Sequence, residues 1–136
     1  MRTYPDKIII AWSEALRGNE DITGWLVTNG YAELIMFTRS LKGSAEADTW
    51  LFENKHPEMV AMVELINGRN EAGEWLSKHG MEVLKKVVEC SLEDASAEQW
   101  LAKKGLKAYL MFALRLRILV NELDEDLGDV HKSPFR

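Results

Sequence analysis

The sequence predicts an all-α fold: a right-curving α-solenoid of four Trp-Leu helical-hairpin repeats, with an N-terminal half-repeat cap and a long C-terminal capping helix. Two observations predict it. First, Trp25, Trp50, Trp75 and Trp100 recur every 25 residues, each followed by leucine at Leu26, Leu51, Leu76 and Leu101. Second, other columns keep the same period: Ile22, Ala47, Ala72 and Ala97; Leu34, Met59, Leu84 and Tyr109; Phe37, Met62, Val87 and Phe112; Leu41, Ile66, Ser91 and Leu116. A fixed period in this range is the mark of stacked supersecondary units that bury their faces against neighbours.

Taken in order, residues 5–17 form the half-repeat. Ile9, Trp12, Leu16 and Gly18 stand 25 residues before Leu34, Phe37, Leu41 and Gly43, so this segment reads as a second helix that lacks its first. Each full repeat then opens with a short helix, for example residues 46–54 or 97–104. Asn19, Ser44, Asn70 and Ser96 are candidate N-caps, and Gln99 follows Ser96 at capping-box spacing. The short helices stop at Asn29-Gly30, His79-Gly80 and Lys104-Gly105, where a C′ glycine takes left-handed backbone without a Cβ clash. In the second repeat the break falls at His56-Pro57, with Pro57 at the first position of the next helix. The second helices carry an i, i+3, i+7 apolar stripe such as Leu34, Phe37 and Leu41. They end at Gly43 and Gly68, and at residues 91–94 in the third repeat. The last helix overruns its schedule: Leu106, Leu110, Ala113, Leu116, Val120, Leu123 and Leu127 continue one stripe. A terminal unit needs such a cover for its exposed core face. Residues 1–128 are therefore expected to be one α-repeat domain and residues 129–136 a disordered polar tail.

Composition narrows the function. The 136 residues suit one domain with a core large enough to need no metal or disulfide staple. Seventeen basic against 22 acidic side chains give a net charge of -5, which disfavours a general nucleic-acid binder. A single cysteine, Cys90, forms no internal disulfide and points to a reducing compartment, the cytoplasm. No stretch is long and apolar enough for a transmembrane helix, and Ile8–Trp12 is too short for a signal peptide core.

Residues 49–68, TWLFENKHPEMVAMVELING, resemble the helical half of an ankyrin repeat. Tryptophan stands where the ankyrin T-P-L-H signature has proline, and the period is 25 against about 33. The difference matches the ankyrin β-hairpin finger, and no strand-like segment joins the units here. The resemblance runs over residues 22–120 and implies stacked helical hairpins. The chain is also similar to small uncharacterised bacterial proteins built from short helical repeats, a likeness that implies no particular activity.

Catalytic and metal-binding signatures are missing. His56 and His79 fall at inter-helix turns of different repeats, and His131 falls in the tail. There is no H-E-x-x-H, C-x-x-C, G-x-S-x-G or P-loop pattern, so no catalytic residue, metal ligand or cofactor is expected. Cys90 reads as a small buried side chain. The tryptophan column reads as core, with neighbouring rings stacked on each other, so Trp50→Ala or Trp75→Ala should cost about 3–5 kcal/mol.

Two surfaces remain. With Trp and Leu facing inward, the next two positions of each short helix face out: Val27 and Thr28, Phe52 and Glu53, Ser77 and Lys78, Ala102 and Lys103. In ankyrin arrays, by resemblance, the short helices line the binding face. Val27, Phe52, Glu53, Lys78 and Lys103 are therefore the expected binding residues for a protein or peptide partner, with the turn residues Tyr31 and His56 at the rim. The alternative is a basic face of Lys103, Lys104, Lys107, Arg115 and Arg117 for nucleic acid or an acidic protein. Glu122, Asp124, Glu125, Asp126 and Asp129 follow closely and would repel phosphate within a Debye length. The expected function is a protein–protein interaction module without activity of its own, a monomer or weak dimer free of membrane.

Overall fold

A computed structural model describes residues 4–127; the expected tail of residues 129–136 lies outside the described residues. Nine α-helices and no strand occur among them: α1 (Asp6–Leu16), α2 (Glu20–Thr28), α3 (Ala32–Leu41), α4 (Ala45–Glu53), α5 (Pro57–Ile66), α6 (Asn70–Lys78), α7 (Glu82–Ser91), α8 (Ala95–Lys103) and α9 (Lys107–Leu127). The all-α expectation holds. None of the described helices is long and apolar enough to cross a membrane.

Local chemistry sets the boundaries. The side chains of Asn19 and Ser44 accept from the backbone N–H groups of Ile22 and Ala47 and cap α2 and α4. The other two expected caps move. Asn70 is the first residue of α6, behind Arg69, and caps nothing. Ser96 lies inside α8, whose cap is Asp94: its carboxylate accepts from the Ser96 and Ala97 N–H groups and from the Ser96 hydroxyl. A carboxylate bonds such N–H groups more strongly than a hydroxyl does, and it also faces the positive helix end.

Every helix from α1 to α8 ends on a left-handed residue, in two series with 25-residue spacing: Gly18, Gly43, Gly68 and Glu93, then Gly30, Lys55, Gly80 and Gly105. The residue that follows donates its N–H to the carbonyl five residues back, as in Asn19 to Glu14, His56 to Leu51 and Asp94 to Glu89. This Schellman closure recovers carbonyls the helix leaves unpaired. Two of the eight positions are not glycine. Lys55 and Glu93 hold φ of 61° and 70° because the surrounding closure is the same as at their glycine counterparts.

The longer helices α1, α3, α5, α7 and α9 form the inside of the molecule. Each packs on the next, and α9 packs along α1. The half-repeat and the final helix were expected to cap two separate core faces. Instead they cover each other, and the row of inner helices closes into a cycle. Five side chains at one repeat position, Trp12, Phe37, Met62, Val87 and Phe112, are completely buried and fill its interior. Trp12 stacks on Phe112 with centroids 4.0 Å apart and meets Phe37 edge-on at 5.4 Å. Its indole N–H donates to the Leu34 carbonyl at 3.1 Å. The large aromatic ring is what joins the first inner helix to both the second and the last.

The short helices α2, α4, α6 and α8 lie outside, each packed on the two inner helices that flank it in sequence. Leu26, Leu51, Leu76 and Leu101 are their fully buried anchors, and Ala47, Ala72 and Ala97 allow close approach. A hydrogen bond from the Ser40 hydroxyl to Asp48 also ties α3 to α4. The tryptophans differ from expectation. Trp25 is 45% exposed and the other three are half-buried, so the column sits at the edge of the core. Nor do the rings stack on one another. Trp50 stacks on His56 and Trp75 on His79, each within its own repeat. Consecutive short helices stand too far apart for ring to meet ring, and this separation opens clefts between them.

Candidate functional site

Each cleft has an inner helix as its floor and two short helices as its walls. The one between α4 and α6, floored by α5, encloses about 770 Å³. Phe52 and Glu53 from α4 and Lys55 from the turn form one wall; Glu71, Ala72 and Trp75 from α6 form the other. Pro57, Val60, Ala61 and Glu64 form the floor. The helix period explains the floor, since these four share the cleft side of α5, with Ala61 itself buried at 5%, while Met59, Met62 and Ile66 point inward. Phe52 is 81% exposed, the most exposed large apolar side chain among the described residues. Charge in the cleft is mainly acidic: Glu53, Glu64 and Glu71 face Lys55, and Arg69 reaches Glu64 only at 4.0 Å.

The same cleft one repeat later is built differently. Between α6 and α8, Ser77 replaces Phe52, and its hydroxyl donates to Glu82 at 2.7 Å. Lys85 and Lys86 stand where α5 has Val60 and Ala61. Lys86 lies 5.9 Å from the Trp100 ring and pairs with Glu82 and Glu89. Lys104 adds a second cation 5.4 Å from that ring. Both floor lysines there are thus paired within the chain, Lys85 with Glu89 and Lys86 with Glu82 and Glu89. One repeat earlier, Met36 takes the place of Lys86.

All five expected binding residues, Val27, Phe52, Glu53, Lys78 and Lys103, are exposed, as their repeat position requires. Only Phe52 and Glu53 line the α4–α6 cleft; Val27, Lys78 and Lys103 stand outside it. Of the rim residues, His56 is half-buried against Trp50, with Nδ1 3.4 Å from Glu58, and Tyr31 is half-buried beside Tyr4. The basic set is divided. Lys103, Lys104 and Lys107 are exposed near the start of α9. Arg117 donates to the Cys90 carbonyl at 2.8 Å and pairs with Glu98 at 3.2 Å, which fastens α9 to α7 and α8. Arg115 lies with Arg17, Ile118 and Glu122 at the junction of α1 and α9.

Other polar groups are tied into the structure. The buried Glu33 carboxylate accepts from the Tyr4 hydroxyl at 2.7 Å. The His79 ring nitrogen Nδ1 sits 2.8 Å from the Trp75 carbonyl. Cys90 is buried, as expected, and burial raises its thiol above the usual range against the opposing pull of Arg117. Burial likewise raises the Tyr109 phenol. No group of three His, Cys, Asp or Glu side chains among the described residues is arranged to hold a metal ion.

Trp75, Val60, Ala61, Glu64 and Glu71 were not expected at a site. Their signal is the repeat register, which sets Ala61 against Met36 and Lys86. Compared with known families, curated proteins and solved structures, the chain shows no significant match.

Proposed function

We propose that this chain is a protein–protein interaction module, a scaffold of four helical-hairpin repeats with no catalytic activity of its own. The observation that carries the reading is the outward row of the short helices, where Val27 and Phe52 expose large apolar surface at one repeat position. Exposed apolar groups grouped beside an open cleft mark docking surfaces on soluble proteins. Repeat scaffolds bind in this way because stacked units offer one extended surface. The reading places the module in the cytoplasm, as a monomer or weak dimer, with a protein or peptide as partner. It keeps the ankyrin-like comparison only as an analogy of architecture. The basic-face alternative is less favoured, because Arg117 and Lys104 are already engaged within the chain.

A tagged pull-down from native lysate, run at low and at moderate salt, tests the reading. The Phe52→Ala/Lys78→Glu variant runs alongside after circular dichroism shows it helical. A defined protein recovered by the wild type and lost with the variant is the expected result. Recovery of nucleic acid, or of many acidic proteins lost with salt, would transfer the function to Lys103, Lys104, Lys107, Arg115 and Arg117. Binding of that kind weakens steeply with salt because counterions are released.

A further inference from the structure

We propose that the α4–α6 cleft binds a basic polypeptide segment, with a Lys or Arg side chain placed beside Trp75 and a neighbouring apolar side chain against Phe52 and Val60. This rests on the interaction-module reading and names its site and the chemistry of its partner.

The argument comes from the chain's own repeats. At the α6–α8 cleft, Trp100 has two cations near its ring, Lys104 from the end of its own helix and Lys86 from the floor. In the α4–α6 cleft the residue equivalent to Lys104 is His79, which stacks on Trp75 at 4.0 Å. The residue equivalent to Lys86 is Ala61, and no cation lies over Trp75 among the described residues. Of the two acids that Lys86 meets, the nearer is kept, since Glu64 stands 25 residues before Glu89, while Pro57 takes the place of Glu82. Arg69, the partner of Glu64 within the chain, is well exposed and comes no nearer than 4.0 Å. The place of one cation is therefore open, with an indole and a carboxylate still around it. Glu53 and Glu71 add negative charge at the rim, against Lys55.

The surroundings say what carries that cation. In the next cleft the place of Phe52 is taken by a serine bonded to Glu82, and that of Val60 by Lys85. Here both are apolar, and Phe52 is 81% exposed. A lone ammonium ion would leave this surface wet. A peptide that presents Lys or Arg next to an aromatic or branched aliphatic residue would cover it. The cation gains from both the ring quadrupole and the carboxylate. The surplus of acid repels acidic segments, so the site discriminates as well as attracts.

The test is selection of a displayed library of random dodecapeptides on the full chain, followed by fluorescence anisotropy with the enriched peptides. Enriched peptides should carry Lys or Arg beside an aromatic or branched aliphatic residue. Ala61→Lys supplies from within the chain the cation that Lys86 supplies next door. Ala61 is 5% exposed, so circular dichroism first checks that the variant is folded; the folded variant should weaken binding by about tenfold or more. Phe52→Ser changes only an exposed side chain and should weaken binding similarly; Glu64→Lys should do the same. Enriched peptides that are neutral or acidic, absence of enrichment, or binding indifferent to Ala61→Lys and Phe52→Ser would overturn the proposal. Loss with Lys78→Glu/Lys103→Glu alone would overturn the cleft while leaving the module reading in place. A wild-type dimer that Phe52→Ser converts to monomer would also overturn it, making the cleft a contact between copies. The pull-down decides the broader reading independently, since it needs no assumption about charge.

Discussion

Trp12 and Trp75 are the same side chain in opposite circumstances. Trp12 is fully buried between two phenylalanines and spends its N–H on a backbone carbonyl. Trp75 is half-buried, and one of its flanks borders an open cleft. Trp12→Ala should therefore cost about 3–5 kcal/mol, the range for a large aromatic removed from a core. Trp75→Ala should cost only about 1–2 kcal/mol, because less area leaves water when it packs. Urea denaturation of the two variants checks this ordering, and it revises the larger loss expected for the repeat tryptophans from sequence. Asp94 is the other residue whose role the structure defines. Its carboxyl is held below the usual range, first by the Ser96 hydroxyl and then by the Ala97 N–H. The folded state thus prefers the ionised acid. The stabilisation is complete above the ordinary carboxylate range and is lost as pH falls through the lowered folded value. Asp94→Ala should cost about 0.5–2 kcal/mol at neutral pH, the usual loss for an N-cap. The difference from wild type should shrink in acid, as thermal midpoints measured across pH would show.

At the scale of elements, the eight helix ends are nearly interchangeable, and the two that lack glycine are strained. Glu93 at φ 70° holds a conformation that costs an L-residue roughly 1–2 kcal/mol. Glu93→Gly removes the clash but adds freedom to the unfolded chain. A net gain of about 0.5–1 kcal/mol is expected, seen as a higher denaturation midpoint. Gly43→Ala is the mirror test. Its φ is +98° and nothing lies within 4 Å of an added Cβ, so the cost is one of backbone alone. A loss near 1 kcal/mol is expected there. The clefts belong to this scale too. Equivalent helices frame them, yet the changes from Phe52, Val60 and Ala61 to Ser77, Lys85 and Lys86 replace an open apolar lining by residues paired within the chain.

For the whole molecule, closure is the feature that matters. In an open repeat array, stability is a sum of neighbouring contacts, and a terminal unit can be lost with little effect on the rest. Here α1 packs on both α3 and α9, and Trp12 covers Phe37 and Phe112 together. Removing residues 1–18 should uncover the interior at two places. The truncated chain is expected to bind a hydrophobic dye and to lose its cooperative unfolding transition. The intact chain should unfold in one step, with tryptophan fluorescence and circular dichroism coinciding. A truncated chain that still unfolds sharply would show that closure adds little.

The sequence by itself determined the helices, their order and their inward faces. A helix fixes its own periodicity, and turns are set by neighbouring residues, so a 25-residue repeat prints both directly in the chain. Even the buried column of Phe37, Met62, Val87 and Phe112, with Trp12 before it, was legible as a register. The outward exposure of Val27, Phe52, Glu53, Lys78 and Lys103 followed from the same register. Tertiary structure alone decided that the ends meet, that the tryptophans stop at the edge of the core, and that Arg117 is spent on the Cys90 carbonyl and Glu98. These depend on the small rotation and spacing between successive hairpins. That quantity accumulates over the whole chain, and no single repeat encodes it.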